Sequence, residues 1–258
     1  MNALLQLPDA PWYALAAIPV IVLGAYVVFG ATGFGSSLIG VPLLAHFFPL
    51  TFAVPLITAL DAVGAPSQSF RHWRDARWLE VRWLLPPILV GIAFGTTLLV
   101  RTPREPALLA LGIFIACYGT YLLAGTRTLR RAPSWLAIPL GLVGGVFSVL
   151  FGTGGPVYMV FLSARIHDKT ALRATSSVLV CISVLIRVVV FIVTGLLLHA
   201  PLLIAAVLTL PVMLAGLALG NRLHAALSGD SFRRVIAILL VTNGVSLIAR
   251  VLPWLRGD

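Results

Sequence analysis

Apolar runs long enough to cross a bilayer follow one another along the entire chain, and this pattern limits the fold more than any other feature. The run "VLVCISVLIRVVVFIVTG" (178–195) holds one charge in eighteen residues, where a membrane span needs about 20 mostly apolar residues. Ten apolar segments can be marked, at roughly 12–30, 35–48, 52–70, 82–100, 106–124, 134–151, 155–164, 171–197, 201–220 and 232–251. With 60% of its 258 residues hydrophobic and 10% charged, the chain lacks the polar surface of a soluble domain. The expected fold is all-α: a polytopic integral membrane protein of about ten transmembrane or partly re-entrant helices. The longest polar stretch, "RHWRDARWLEVR" (71–82), leaves no room for a soluble domain. The opening "MNALLQLPDAPWY" has no basic n-region, so no cleaved signal peptide is expected.

The formal charge of +10 sits in short loops between apolar runs, which points to membrane topology and away from nucleic acid. If the chain crosses at every segment and starts outside, thirteen basic residues fall on the inner side: Arg71, Arg74, Arg77, Arg82, Arg127, Arg130, Arg131, Arg165, Lys169, Arg173, Arg222, Arg233 and Arg234. Four fall outside: Arg101, Arg104, Arg250 and Arg256. This bias predicts both termini outside. Segments 35–48 and 155–164 are short for full spans and read as half-helices or re-entrant elements. Counting both as crossings preserves the charge bias. Cys117 and Cys181 lie in apolar segments and read as small buried residues without a disulfide.

The two halves echo each other. Pro19 and Gly24 recur as Pro139 and Gly144, 120 residues on, and Gly33-x-Gly35 recurs as Gly152-x-Gly154, 119 on. Pro86, Gly91, Gly95 and Gly119 recur as Pro211, Gly216, Gly220 and Gly244, 125 on. The expectation is two repeats of five helices, 1–125 and 126–258, within one membrane domain. Five is odd, so the second copy is inverted. Inverted repeats with breaks at matching places mark secondary transporters.

The matching breaks are "GFGSS" (33–37) and "GTGGP" (152–156). Neither carries a nucleotide-binding fingerprint. Glycine lets the backbone leave helical geometry, and Pro156 suits the first turn of a new helix. A helix starting inside the membrane aims free N–H groups and a positive dipole end into the protein. With the hydroxyls of Ser36, Ser37 and Thr153, two such starts make an anion site from Gly33, Gly35, Gly152, Gly154 and Gly155. The competing reading is close helix packing, where small residues also cluster.

Arg187 lies deep in an apolar segment, where a guanidinium costs at least about 2.5–3.5 kcal/mol on insertion scales. It is the expected anion ligand, because guanidinium grips oxyanions through two parallel hydrogen bonds. The alternative is a structural ion pair. Asp61 stands inside the run "VPLITALDAVGAPSQSF", either as a proton-coupling carboxylate or as the partner of Arg187. Gln68, which the offset of 119 carries onto position 187, is a candidate second ligand. The five histidines show no metal-ligand spacing, and the six tryptophans cluster at segment ends as an interfacial belt.

"GFGSSLIGVPLL", "PLTFAVPLI" and Gln68 in the first half, with "GTGGPVYMVFL" and "ALRATSSVLV" in the second, resemble the sulfite exporter TauE/SafE family of membrane transporters. The resemblance covers nearly the whole chain. It implies transport of small sulfur-containing oxyanions, such as sulfite and sulfonates, often exported and coupled to protons or membrane potential. The family's glycine breaks fall on Gly33, Gly35, Gly152 and Gly154, and its Thr-Ser helix opening on Ala174, Thr175 and Ser176. "GFGSS" stands where many relatives are richer in glycine.

The expected function is a secondary transporter for a small sulfur oxyanion or organic anion, not an enzyme, in a bacterial inner membrane. A passive anion channel and a membrane-embedded enzyme are the alternatives. No cofactor, metal or nucleic acid is expected. The expected partners are the anionic substrate and the lipid bilayer, with a homodimer left open.

Overall fold

Each apolar segment becomes one α-helix in the computed structural model, which describes residues 11–32, 35–70, 73–124, 132–226 and 229–256. The helices are α1 (Trp12–Thr32), α2 (Ser36–Ala45), α3 (Leu50–Ser69), α4 (Trp78–Arg101), α5 (Arg104–Leu123), α6 (Ala137–Leu150), α7 (Gly155–Arg165), α8 (Lys169–Val193), α9 (Ala200–Ala226) and α10 (Gly229–Arg256). Local chemistry sets several ends. Pro49 and Pro103, both extended at ψ near 155–158°, immediately precede α3 and α5. Asp168 caps α8 by accepting the Ala171 N–H at 2.6 Å. Gly195, at φ 76°, turns the chain out of α8.

Among the described residues seven helices are long and apolar enough to cross a membrane: α1, α3, α4, α5, α8, α9 and α10. The outward faces are apolar, as lipid requires. Val20 and Leu208 are each 70% exposed, while the large side chains of Tyr26, Phe52, Tyr158, Phe161, Phe191 and Arg187 are buried. Trp12, Trp73, Trp78, Trp83 and Trp135 are exposed near helix starts, where the belt reading puts them. Cys181 is buried, but Cys117 is exposed, against expectation. The reason is the narrow buried stripe of α5, Leu108, Leu111, Gly112, Ile115 and Gly119, which Cys117 falls outside.

Helices α2 and α7, with ten and eleven residues, are about 15–17 Å long, roughly half of the about 30 Å hydrocarbon core. All of α2 except Leu43 is buried. Short broken helices survive at membrane depth only when protein covers them in this way. Around α2, α3, α7 and α8 stand three outer pairs: α1 with α9, α4 with α6, and α5 with α10.

Glycines set those pairs close. Gly91 and Gly95 of α4 press on the backbone at Leu142 and Val146 of α6; Gly216 and Gly220 of α9 press on Leu23 and Val27 of α1. Leu142 and Val146 follow Leu23 and Val27 by 119 residues, and Gly216 and Gly220 follow Gly91 and Gly95 by 125. In the third pair Gly112 meets Gly244 and Gly119 meets Ala237, again related by 125. For these glycines close packing is the right reading.

Side-chain contacts also gather the loops. Arg165, at the end of α7, donates to Glu80 at 2.7 Å, to the Ala132 carbonyl at 3.0 Å and to Ser134 at 3.2 Å. Thr175 accepts the backbone N–H of Arg77 at 2.9 Å nearby, a structural role for the Thr-Ser motif. His46, at the end of α2, bonds Ser246 of α10 at 3.0 Å and receives Arg250 on its carbonyl. Loops assigned to the same side by alternate crossing therefore meet one another.

Candidate functional site

The two glycine-rich breaks are adjacent in space. Gly35, at φ 107°, is the N-cap of α2. Gly152, at φ 73°, turns the chain out of α6. Gly154 then caps α7, with Pro156 in its first turn. Only glycine holds such positive φ without strain. The breaks also touch: a Cβ on Gly152 would lie 2.7 Å from Ser37 Oγ. A Cβ on Gly154 would run into the Tyr158 hydroxyl and the Gly144 carbonyl. Gly33 lies outside the described residues.

Between the breaks is a cavity of about 20 Å³, room for about one water molecule. Phe29, Gly35, Ser36, Ser37, Asp61, Ser148, Gly152, Thr153, Gly154, Gly155, Tyr158, Val180, Ser183 and Arg187 line it. Four pairs in this wall stand 119 residues apart: Phe29 and Ser148, Gly35 and Gly154, Ser36 and Gly155, Asp61 and Val180. The cavity therefore sits where residues related by an offset of 119 come together.

Two charged side chains project into it from the paired helices α3 and α8. Asp61 is 3% exposed and Arg187 2%. Asp61 Oδ1 accepts the hydroxyls of Tyr26 and Ser36, each at 2.7 Å. Its Oδ2 accepts Ser37 at 3.3 Å and lies 3.9 Å from the Arg187 guanidinium. Arg187 also donates to the Ser148 carbonyl at 2.7 Å. Buried charges persist when paired and hydrogen-bonded, and Asp61 meets both conditions.

Arg187 does not. Among the described residues three buried side-chain polar atoms make no hydrogen bond: Thr58 Oγ1, Tyr158 Oη and Arg187 Nε. Two of those three residues line this one small cavity. A buried donor without an acceptor costs about 1–3 kcal/mol, more for a charged group. Such a cost is tolerated where an acceptor arrives from outside. The wall can do one thing well: offer positive charge, hydroxyls and two helix N-termini to a small anion.

Of the candidate residues, Gly35, Ser36, Ser37, Gly152, Thr153, Gly154, Gly155, Asp61 and Arg187 are brought together here. The side chain of Gln68 lies outside the described residues. One expectation changes: the Ser36 and Ser37 hydroxyls donate to Asp61 and are not free, because α2 packs its first turn against α3. Sequence reasoning missed Tyr26, Ser148, Tyr158 and Ser183. Ser148 and Ser183, hydrogen-bonded at 2.8 Å, carried a faint signal as hydroxyls inside apolar runs near a break or near Arg187. Tyr26 and Tyr158 carried none, since tyrosines in apolar helices usually mark interfaces.

Residues 17–247 match the model of the sulfite exporter TauE/SafE family. Over 193 residues the chain is 28% identical to a probable inner membrane transporter protein, TsaS, of Comamonas testosteroni, an alignment covering 74% of this chain and 81% of that relative. No solved structure matches the chain.

Proposed function

Because the chain belongs to the sulfite exporter TauE/SafE family of membrane transporters, we propose that it moves a small sulfur-containing oxyanion or sulfonate across the bacterial inner membrane, held where the two helix breaks meet. The observation that carries this reading is the buried Arg187 Nε, a charged donor without an acceptor, facing a cavity between two helix starts that the Tyr158 hydroxyl also lines. Arg187 supplies the charge, and Tyr158, Ser36, Ser37 and Thr153 supply hydroxyls. Gly33, Gly35, Gly152, Gly154 and Gly155 let the backbone approach the anion, with Gln68 a further ligand. The cavity is smaller than a sulfur oxyanion, so the breaks must part to admit one. Such parting is the local motion that alternating access requires.

Direction is export, coupled to protons or membrane potential, with Asp61 as the coupling group. The relative's name supports the inner-membrane location. The equivalent glycine contacts at offsets of 119 and 125, and the paired cavity wall, support two inverted five-helix repeats. The charge bias, thirteen basic residues inside to four outside, supports both termini outside.

A thermal-shift screen tests the substrate class. Sulfite or a small sulfonate is expected to raise the melting temperature of the purified protein, since ligands that bind only the folded state stabilise it. No shift from any sulfur oxyanion at millimolar concentration contradicts the assignment. A cysteine tag at either terminus, with Cys117 and Cys181 replaced by alanine, is expected to react with an impermeant maleimide in intact spheroplasts. A tag protected until lysis contradicts the orientation.

A further inference from the structure

Asp61 occupies the cradle as a substrate would. Its oxygens take the donors a small oxyanion would need: the hydroxyls of Tyr26 and Ser36 at 2.7 Å, Ser37 at 3.3 Å and the Arg187 guanidinium at 3.9 Å. The adjoining cavity of about 20 Å³ leaves no space for carboxylate and oxyanion to share them. Charge leads to the same point. Ionised Asp61 and Arg187 together are neutral. An anion entering beside them would bury an uncompensated negative charge at membrane depth, which is strongly unfavourable.

Resting on the site assigned above, we infer that the Asp61 carboxylate and the substrate compete for one set of donors, so that each monovalent oxyanion binds together with one proton. The proton comes from water and adds to an Asp61 oxygen. Arg187 stays charged and turns from the carboxylic acid to the anion. The site is neutral before and after, and anion and proton cross in the same direction, so the membrane potential does no work on the loaded site and net export follows the substrate's own outward gradient. A divalent anion such as sulfate would leave a net negative charge after one proton, so the site selects monoanions. The groups facing Asp61 are Tyr26 from α1, Ser36 and Ser37 from α2, and Arg187 from α8. Tyr158 from α7 lines the same cavity. Among the described residues the other helices packed against α3 bring no further charged group to act on Asp61.

The test is proton uptake on binding. The purified full-length protein, weakly buffered with an indicator dye, is titrated with methanesulfonate, which stays ionised throughout the neutral range. The expected result is one proton taken up per anion bound. Affinity should also weaken about tenfold per pH unit wherever Asp61 is ionised in the anion-free protein. Asp61→Asn is expected to bind without uptake and with a flat pH profile, and Asp61→Glu to retain uptake. Binding to the wild type without uptake overturns the inference and leaves the site assignment standing. With methanesulfonate as the probe, uptake that survives in Asp61→Asn also overturns it. Binding of neither methanesulfonate nor sulfite at any pH removes the site assignment and the inference together. If Asp61→Asn fails to fold, the wild-type stoichiometry with methanesulfonate still decides.

Discussion

Arg187→Ala is expected to abolish oxyanion binding while the protein still inserts and folds. Truncating one partner of a buried, hydrogen-bonded charge pair costs about 2–5 kcal/mol, or roughly 30-fold to several thousandfold in affinity. Among the described residues of the cavity wall Arg187 is the one charged donor, so the effect belongs at the upper end. Folding is expected to survive for two reasons. Asp61 keeps its hydrogen bonds from Tyr26, Ser36 and Ser37. The helix also sheds the guanidinium's insertion cost of about 2.5–3.5 kcal/mol. Arg187→Lys keeps the charge but loses the planar fork, and is expected to bind more weakly than wild type and more tightly than Arg187→Ala. Isothermal calorimetry on purified variants, beside a melting curve for each, checks the ordering. Equal affinity in Arg187→Ala removes Arg187 from the site.

Gly152→Ala is expected to stop transport, for a reason its own control can isolate. A non-glycine residue in the left-handed region costs about 1–2 kcal/mol. At φ 73° Gly152 would incur that strain and also thrust a methyl to within 2.7 Å of Ser37 Oγ and 2.8 Å of Ser37 Cβ, wedging the breaks apart. Gly195, at φ 76°, shares the positive φ but has nothing within 4 Å of an added Cβ. Gly195→Ala should therefore lower the melting temperature by the strain alone and leave uptake into proteoliposomes near wild type. Gly152→Ala should lose at least about tenfold in uptake, the equivalent of 1.4 kcal/mol. Equal losses in both variants would mean that backbone strain, not contact between the breaks, is what matters.

The architecture was legible because lipid imposes it. Long apolar runs admit only helices, and all ten segments became helices with ends displaced by a few residues. The breaks were legible because glycine and proline have few other uses there, and Arg187 because an intramembrane charge needs a partner. What the sequence withheld was direction. A helix buried on every side, such as α2, shows no apolar stripe to say which way its serines face. Only tertiary packing turns Ser36 and Ser37 toward Asp61, 25 and 24 residues away, and brings Tyr26 to the same carboxylate from 35 residues away. For the same reason Asp61 remained open between coupling group and ion-pair partner. The geometry makes it a partner of Arg187, and that pairing is what gives a coupling role its physical basis.

The central claim, that a sulfur oxyanion sits where the two breaks meet, is tested most directly by locating a heavier analogue. Crystals grown in lipidic mesophase with selenite should give an anomalous difference peak among Arg187, Tyr158, Ser37 and Thr153, with the breaks moved apart. An empty cavity, with selenite found only on the basic loops, would contradict it.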